Sequence, residues 1–468
     1  MGQGEGQDRL ETGGWKMGEA SAVKVRTEGE SYLSQYEAFR KGCGAESPGW
    51  LQQIQAAGIS RFEANGFPTP RHEDWKYTNV APIARARFTP AWDCTYDSPT
   101  AAQIEAFTIG GPEGCKLVFL NGTYSEELSS LPGFPRGVVV GSLAEAATLD
   151  SGPVREHLGQ YADIEDNGFT ALNAAFVRDG AFVYVPDGVA LGQLVHLLFL
   201  STAREEEIVS HPRNLIILGK GSRATVVGSY IGLNGGTYFT NAVTEVVVGA
   251  NARFDYYKLQ REGQTAFHVD TTQVLQGQES QVTSLYLDVG AALGRNNLNL
   301  DMKGDGGSCS LNGLFITGAR QHIDNHTTVD HVNSYTRSRQ LYKGILDGRS
   351  RAVFNGKVVA RRGTHQVDAH QANRNLLLSD RAEVNTKPQL EIFADDLKCS
   401  HGATVGQLDE EAIFYMNSRG IDREEARRFL ISGFARQVVD LIEAEEVRCV
   451  VEEVVTERLR NGLESLEG

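Results

Sequence analysis

No apolar run in this 468-residue chain approaches the roughly 18 residues that a bilayer-spanning helix needs. The N-terminus shows Gly, Gln and Glu where a signal peptide would carry a basic start and an apolar core. Gly6 stands where an N-myristoylation pattern requires Ser or Thr. The expectation is a cytoplasmic chain with no membrane contact. Cysteine is also scarce: Cys43, Cys94, Cys115, Cys309, Cys399 and Cys449 are scattered, with no C-x-x-C and no zinc spacing. In so large a chain that pattern is reduced, cytosolic usage rather than a disulfide framework. Common catalytic signatures are missing as well. The nearest approach to a phosphate-binding loop, Gly219-Lys220-Gly221-Ser222, lacks the six-residue cradle, and neither a G-x-S-x-G elbow nor an HExxH pair occurs. ATP hydrolysis by this chain is therefore not expected. The formal charge of -15, from 60 acidic against 45 basic residues, repels polyanions and argues against nucleic acid.

The length is too great for one ordinary core and calls for two or three domains or a repeat. Residues 1–28 read as a disordered tail, with Met17 a candidate start. Residues 29–165 read as a helical and mixed region. Tyr32, Leu33, Tyr36 and Phe39, then Leu51 and Ile54, fall at helical spacing, broken by Gly42 to Gly49 and ended by Gly58. Lys116 to Gly122 reads as a strand closed by a turn. From 166 to 408 the texture changes to short runs of Val, Ile, Phe, Tyr and Thr between Gly, Asp and Asn, with no convincing helix. A turn-then-strand phrase recurs there, with marks at Ser222, Asn251, Ser280, Ser308 and Ser350, in steps of 29, 29, 28 and 42. A repeat near 29 residues points to a β-solenoid, whose stacked rungs bury a face that no rung can bury alone. An insertion on one rung would account for the step of 42. The competing fold is a large β-sandwich or barrel.

Residues 409–468 are helical. Asp409 is placed to cap a first helix that Gly420 closes, and Asp422 with Glu425 to open a second. Ala426, Phe429, Leu430, Phe434, Val438, Leu441 and Ile442, then Val447, Val450, Val451, Val454 and Leu459, repeat at three and four. These amphipathic helices either cap the solenoid or dock a partner.

Six of the 11 histidines lie between His322 and His401. His322 with His326, or His326 with Asp330, share a strand face and can chelate; histidines hydrogen-bonded within the solenoid explain them equally well. In Lys398-Cys399-Ser400-His401, a strand would turn Cys399 and His401 to one face, a thiolate beside an imidazole as iron or zinc prefers. Clusters held by one chain generally take four cysteine-type ligands. No further cysteine is near, so a cluster here would be shared with another chain.

The stretch Ser379-Asp380-Arg381-Ala382-Glu383-Val384-Asn385-Thr386-Lys387-Pro388-Gln389, with Asp395 to Thr404 and Met416-Asn417-Ser418-Arg419-Gly420, closely resembles the SufB/SufD family. Glu73-Asp74-Trp75-Lys76-Tyr77-Thr78 and Cys399-Ser400-His401-Gly402 look like its SufD branch. The resemblance implies a mainly β fold, a right-handed parallel β-helix flanked by N-terminal and C-terminal helical regions. It further implies a non-catalytic scaffold for iron-sulfur cluster assembly that pairs with SufB through the β-helix, or with itself in isolation. The C-terminal helices, through Phe429, Leu430, Phe434 and Val438, would dock the ATPase SufC. His401, and less directly Cys399, would contribute to a transient cluster or iron shared with SufB and not held stably by this chain. Two rivals are a metal-dependent, polysaccharide-acting β-helix using Asp324, Asp330, Asp347 and Asp368, and a homodimeric SufB-like scaffold.

Overall fold

The computed structural model describes residues 31–94, 98–111, 114–149 and 152–460; the expected N-terminal tail, with Met17, lies outside them. Among these, strand outweighs helix, and the centre is a β-solenoid of about eight turns. From Arg213–Leu218 onward, successive strands alternate between two sheets, and each pairs in parallel with the strand two further on. The first sheet runs from Val139–Ser142 and Ala181–Val185 through Leu293–Met302, His322–His331 and Arg351–Ala360 to Glu383–Ile392. The second runs from Thr123–Ser130 and Cys115–Leu120 through Val195–Ser201 and Arg337–Leu346 to His365–Leu377 and Asp396–Gly406. The solenoid therefore begins inside the region read as helical and mixed. A helix, Gly168–Ala175, also lies within the stretch read as free of helix; Asn167 caps it by accepting from the Phe169 and Thr170 amides.

The recurring phrase has a backbone cause. Gly221, Asn251, Glu279, Gly306, Tyr335 and Gln366 all have φ between +50° and +80° and mark one corner of the solenoid, rung after rung. Their amides bond to the rung above: Gly221 N to Ala250 O at 2.8 Å, Asn251 N to Gln278 O at 2.7 Å, Glu279 N to Asp305 O at 2.8 Å. Glycine and asparagine tolerate this left-handed conformation cheaply. Ser222 and Ser280 close their turns by donating to the carbonyls of Gly219 and Gly277, each at 2.7 Å. The step of 42 is not an insertion. Ser350 follows Gly348, which belongs to the opposite corner with Ala291 and Ala319, and it leads into Arg351–Ala360 of the other sheet.

Inside, apolar residues from Cys115 to Val329 form one continuous core, including the stacked rings of Phe119, Phe199 and Tyr230. Lys258 is fully buried there, with Nζ 2.6 Å from Asn296 Oδ1 and 3.3 Å from Asp270 Oδ2. Burying a charge is tolerable only when it is paired.

The N-terminal region lies on the outside of the first sheet. Tyr32, Tyr36, Phe39, Phe62 and Phe176 form an aromatic cluster that reaches Phe239 and Val269 of the sheet. Gly58 does not end a helix, because Gly49–Asn65 runs through it. A Cβ on Gly58 would lie 2.5 Å from Ala175 N, so glycine there admits close contact with Gly168–Ala175. Glu245, fully buried on the sheet, binds Arg213 at 2.7 Å and accepts the amides of Gly159, Tyr161 and Ala162.

The three C-terminal helices, Glu410–Ser418, Arg423–Val439 and Glu445–Arg460, follow the expected caps: Asp409 accepts from Glu411 and Ala412, and Asp422 from Glu425. The second and third cover the outer face of the second sheet, burying Ile431, Ala435, Val438, Val447 and Val451 against Leu259, Leu287, Leu314 and Ile345. Among the described residues no helix is long and apolar enough to cross a membrane.

Candidate functional site

The two ends of the solenoid differ. At the start, each sheet is finished by an antiparallel strand, Thr123–Ser130 or Val139–Ser142. At the far end, the last strands, Glu383–Ile392 and Asp396–Gly406, are parallel rungs of the stack; like the two antiparallel end strands, each has a neighbour on one side only. Their outer edges carry a row of backbone N–H and C=O groups open to pairing. Every residue from His401 to Gln407 is exposed, so neither face of that strand end is covered.

The register places the two expected site residues. Cys399 pairs with Ala369 and His401 with Gln371. Ala369 and Gln371 are buried, and residues in register on parallel strands share a face. Cys399 and His401 therefore both point to the bore side, as the spacing required, and stand at its uncovered mouth. Cys399 is half-buried beside Val358, Val367 and Ala369. Burial pushes its thiol pKa up, an effect opposed by a hydrogen bond from the Ala369 backbone. At neutral pH the thiol keeps its proton, so ligation of a metal here releases one. Among the described residues no three His, Cys, Asp or Glu side chains converge as a metal site would require.

The other histidines are not brought to this mouth. His331 faces the bore, bonded to Thr336 Oγ1 at 2.7 Å and Ser338 Oγ at 2.9 Å, and burial lowers its pKa to about 4. His370, on the outer face, contacts Ser400 and lies 3.1 Å from Asp368 Oδ1. His322 and His326 do not form a chelating pair. They flank Asp324 on the outer face of the first sheet: His322 Nε2 meets Thr78 Oγ1 at 2.8 Å, and His326 Nε2 meets Asp324 Oδ1 at 3.1 Å. Burial holds both imidazoles below their usual pKa. Asp330, the other expected partner of His326, is taken by Arg361 at 2.6 Å.

The four aspartates of the enzyme reading are likewise engaged. Arg295 holds Asp324 at 2.6 Å, Arg361 holds Asp330, Arg339 holds Asp368 at 2.6 Å, and Asp347 accepts the Gly348 amide.

The segment Glu73 to Thr78 is a clasp between the N-terminal region and the solenoid. The Arg295 guanidinium lies 4.3 Å over Trp75 and donates to the Asp74 carbonyl at 2.9 Å, while Glu73 pairs with Lys387 on the last strand of the first sheet. Nothing local in the sequence reported that contact, which spans over 300 residues.

On the C-terminal helices the structure divides the four expected partner residues. Phe429 is 55% exposed and Leu430 half-buried. Val438 is fully buried against the solenoid, and the Phe434 ring covers Lys343 Nζ at 3.7 Å. Phe414 and Tyr415 on the helix Glu410–Ser418, 75% and 60% exposed, were missed. Two adjacent aromatics in an acidic nine-residue helix were the available signal.

Comparison with known proteins agrees over nearly the whole length. The family described as "SUF system FeS cluster assembly, SufBD core domain" matches residues 199–434, and "SufBD protein N-terminal region" matches residues 26–197. An iron-sulfur cluster assembly SufBD family protein of Synechocystis is 33% identical over 383 residues, covering 80% of this chain and 84% of the relative. The iron-sulfur cluster assembly protein SufD of Escherichia coli is 31% identical over 406 residues, covering 86% and 92%. Its namesake in Bacillus subtilis is 26% identical over 435 residues, covering 89% and 95%.

Proposed function

Because this chain belongs to the SufBD family of iron-sulfur cluster assembly proteins, we propose that it is the SufD-type, non-catalytic scaffold of a Suf complex. It pairs with SufB through the open end of the solenoid and docks the ATPase SufC on its C-terminal helices. The observation that carries this reading is His401 at an uncovered mouth, next to backbone edges that only another chain can complete. Edge pairing would satisfy those groups and fix the geometry of a shared site in one step. His401 then offers a nitrogen to the nascent cluster, the complex's product, and Cys399 a thiol that must first lose its proton. SufB supplies the remaining ligands. Alone, the same edge accepts a second copy of this chain. The cytoplasm suits it, since all six cysteines are free.

SufC has the exposed Phe414, Tyr415 and Phe429 to bind. The helix Arg423–Val439 is tied to the solenoid by Lys343, whose Nζ donates to Phe434 O at 2.8 Å and Gln437 Oε1 at 2.7 Å. Force from a nucleotide-driven SufC dimer would thus reach the second sheet directly. Anaerobic reconstitution of the three-subunit complex with His401→Ala tests the site: cluster formation is lost while the complex still assembles. Normal cluster yield with that variant would refute the assignment. The SufC arm is tested by ATP, which is expected to change Cys399 labelling in the assembled complex; unchanged labelling refutes it.

A further inference from the structure

Away from the open end, a cleft of about 250 Å³ lies between the outer face of the first sheet and the N-terminal region. Its floor is a grid set by strand register. One row is Asn297, His326 and Asn355; the next is Asn299, Thr328, Lys357 and Gln389. Neighbouring strands lie about 4.8 Å apart, so the floor offers a polar group at each step. Trp75, Asp74, Asp163 and Asp166 form the opposite wall.

Two observations say what the cleft would take. First, Asn355 is only 6% exposed and its Oδ1 has no hydrogen-bond partner. It lines both this cleft and a smaller recess beside Glu73, Asp324 and Lys387, whose ammonium is paired with Glu73 rather than with Asn355. A buried amide oxygen left unpaired costs about 1–3 kcal/mol, so the position calls for a donor. Second, the charges do not balance. Arg295 is neutralised by Asp324 at 2.6 Å, and Lys357 by Glu391 at 2.7 Å. The His326 imidazole is engaged by Asp324. Among the described residues Asp74, Asp163 and Asp166 have no cationic partner; Asp163 accepts only the Glu165 amide. What remains is negative charge and a bare acceptor, in a space larger than one ion and without the converging ligands a bound metal needs.

We infer that this cleft binds a small organic cation carrying a primary ammonium on a short chain, of the size of an alkyl diamine or a basic amino acid. The ammonium donates to Asn355 Oδ1, and the wall of Asp74, Asp163 and Asp166 supplies the countercharge. Asn297, Asn299 and Thr328 hydrogen-bond the remainder.

Isothermal titration of the full chain with 1,4-diaminobutane and with L-lysine tests the inference, with magnesium chloride and sodium acetate as separate arms. Saturable 1:1 binding of at least one ammonium probe is expected, weakened about tenfold by losing one charged hydrogen bond in Asp166→Asn or in Asn355→Leu. Asp166 is exposed, so its variant retains the fold. The inference is overturned if neither ammonium probe binds saturably, if magnesium binds and the ammonium probes do not, or if both variants bind as the parent does.

Discussion

An early rung and the last rung of the solenoid differ in what covers their strands. Near the start, in a strand with two more beyond it in the sheet, Ile216 and Leu218 face the core while Leu215 and Ile217 are buried under N-terminal helices, so both faces of one strand are apolar and closed. At the far end, Asp396–Gly406 alternates half-buried and exposed residues up to Cys399 and is exposed throughout thereafter. The lesson is that core and helices cover the two faces of an early rung and leave the end of the last rung bare. The proposed site residues, Cys399 and His401, lie on that last rung.

The contrast is sharpest at Glu245. Replacing it by Ala strips Arg213 of its buried partner and frees three amides of the N-terminal region. A loss of about 3–5 kcal/mol is expected, read by chemical denaturation; a change below 1 kcal/mol, within the range of ordinary surface substitutions, would break the comparison. Next comes a matched pair of leucines. Leu215→Ala, at the closed end, should cost about 3 kcal/mol, and half-buried Leu397→Ala, at the open end, about 1 kcal/mol or less. In the proposed complex with SufB the second value should rise toward the first.

A pH effect follows from the buried histidines. His331 has its pKa lowered from 6.5 to about 4 by burial. The unfolded chain therefore takes up a proton that the folded chain refuses. The stability linked to this residue is complete above pH 6.5 and declines as pH falls toward 4, reaching about 2 kcal/mol of loss at pH 5. His331→Gln should flatten the slope of unfolding free energy between pH 7 and pH 5 by about that amount. Asp324, whose carboxyl is held below its usual range chiefly by Arg295 against the opposing cost of burial, does not titrate in that window. The smallest effect is at the site itself. His401→Ala in the isolated chain should change stability by less than about 0.5 kcal/mol, as surface substitutions do. A larger loss would mean that His401 holds the end of the stack together and is not free for another chain.

Turns and faces were legible in the sequence because they depend on neighbours along the chain. The marks at Ser222, Asn251, Ser280 and Ser308 fall at or within two residues of a left-handed corner residue, Asn251 being that residue itself, and the alternation around Cys399 and His401 set their common face. The caps Asp409 and Asp422 were legible for the same reason. Gly58 was misread because a local rule makes glycine a helix terminator; here a second helix, over 110 residues away, needs its missing side chain. Ser350 was misassigned because the two corners of a rung share one turn chemistry.

The pairing of His322 with Thr78, and of Glu73 with Lys387, had no local trace at all. Periodicity alone thus pointed to stacked strands, to most of the turns on one corner and to the common face of Cys399 and His401. Which rung is last, which imidazoles are sealed and which carboxylates stay unpaired were decided only when distant segments covered some surfaces and left others bare. Burial is a property of what lies above a residue, not of the residues beside it in the chain.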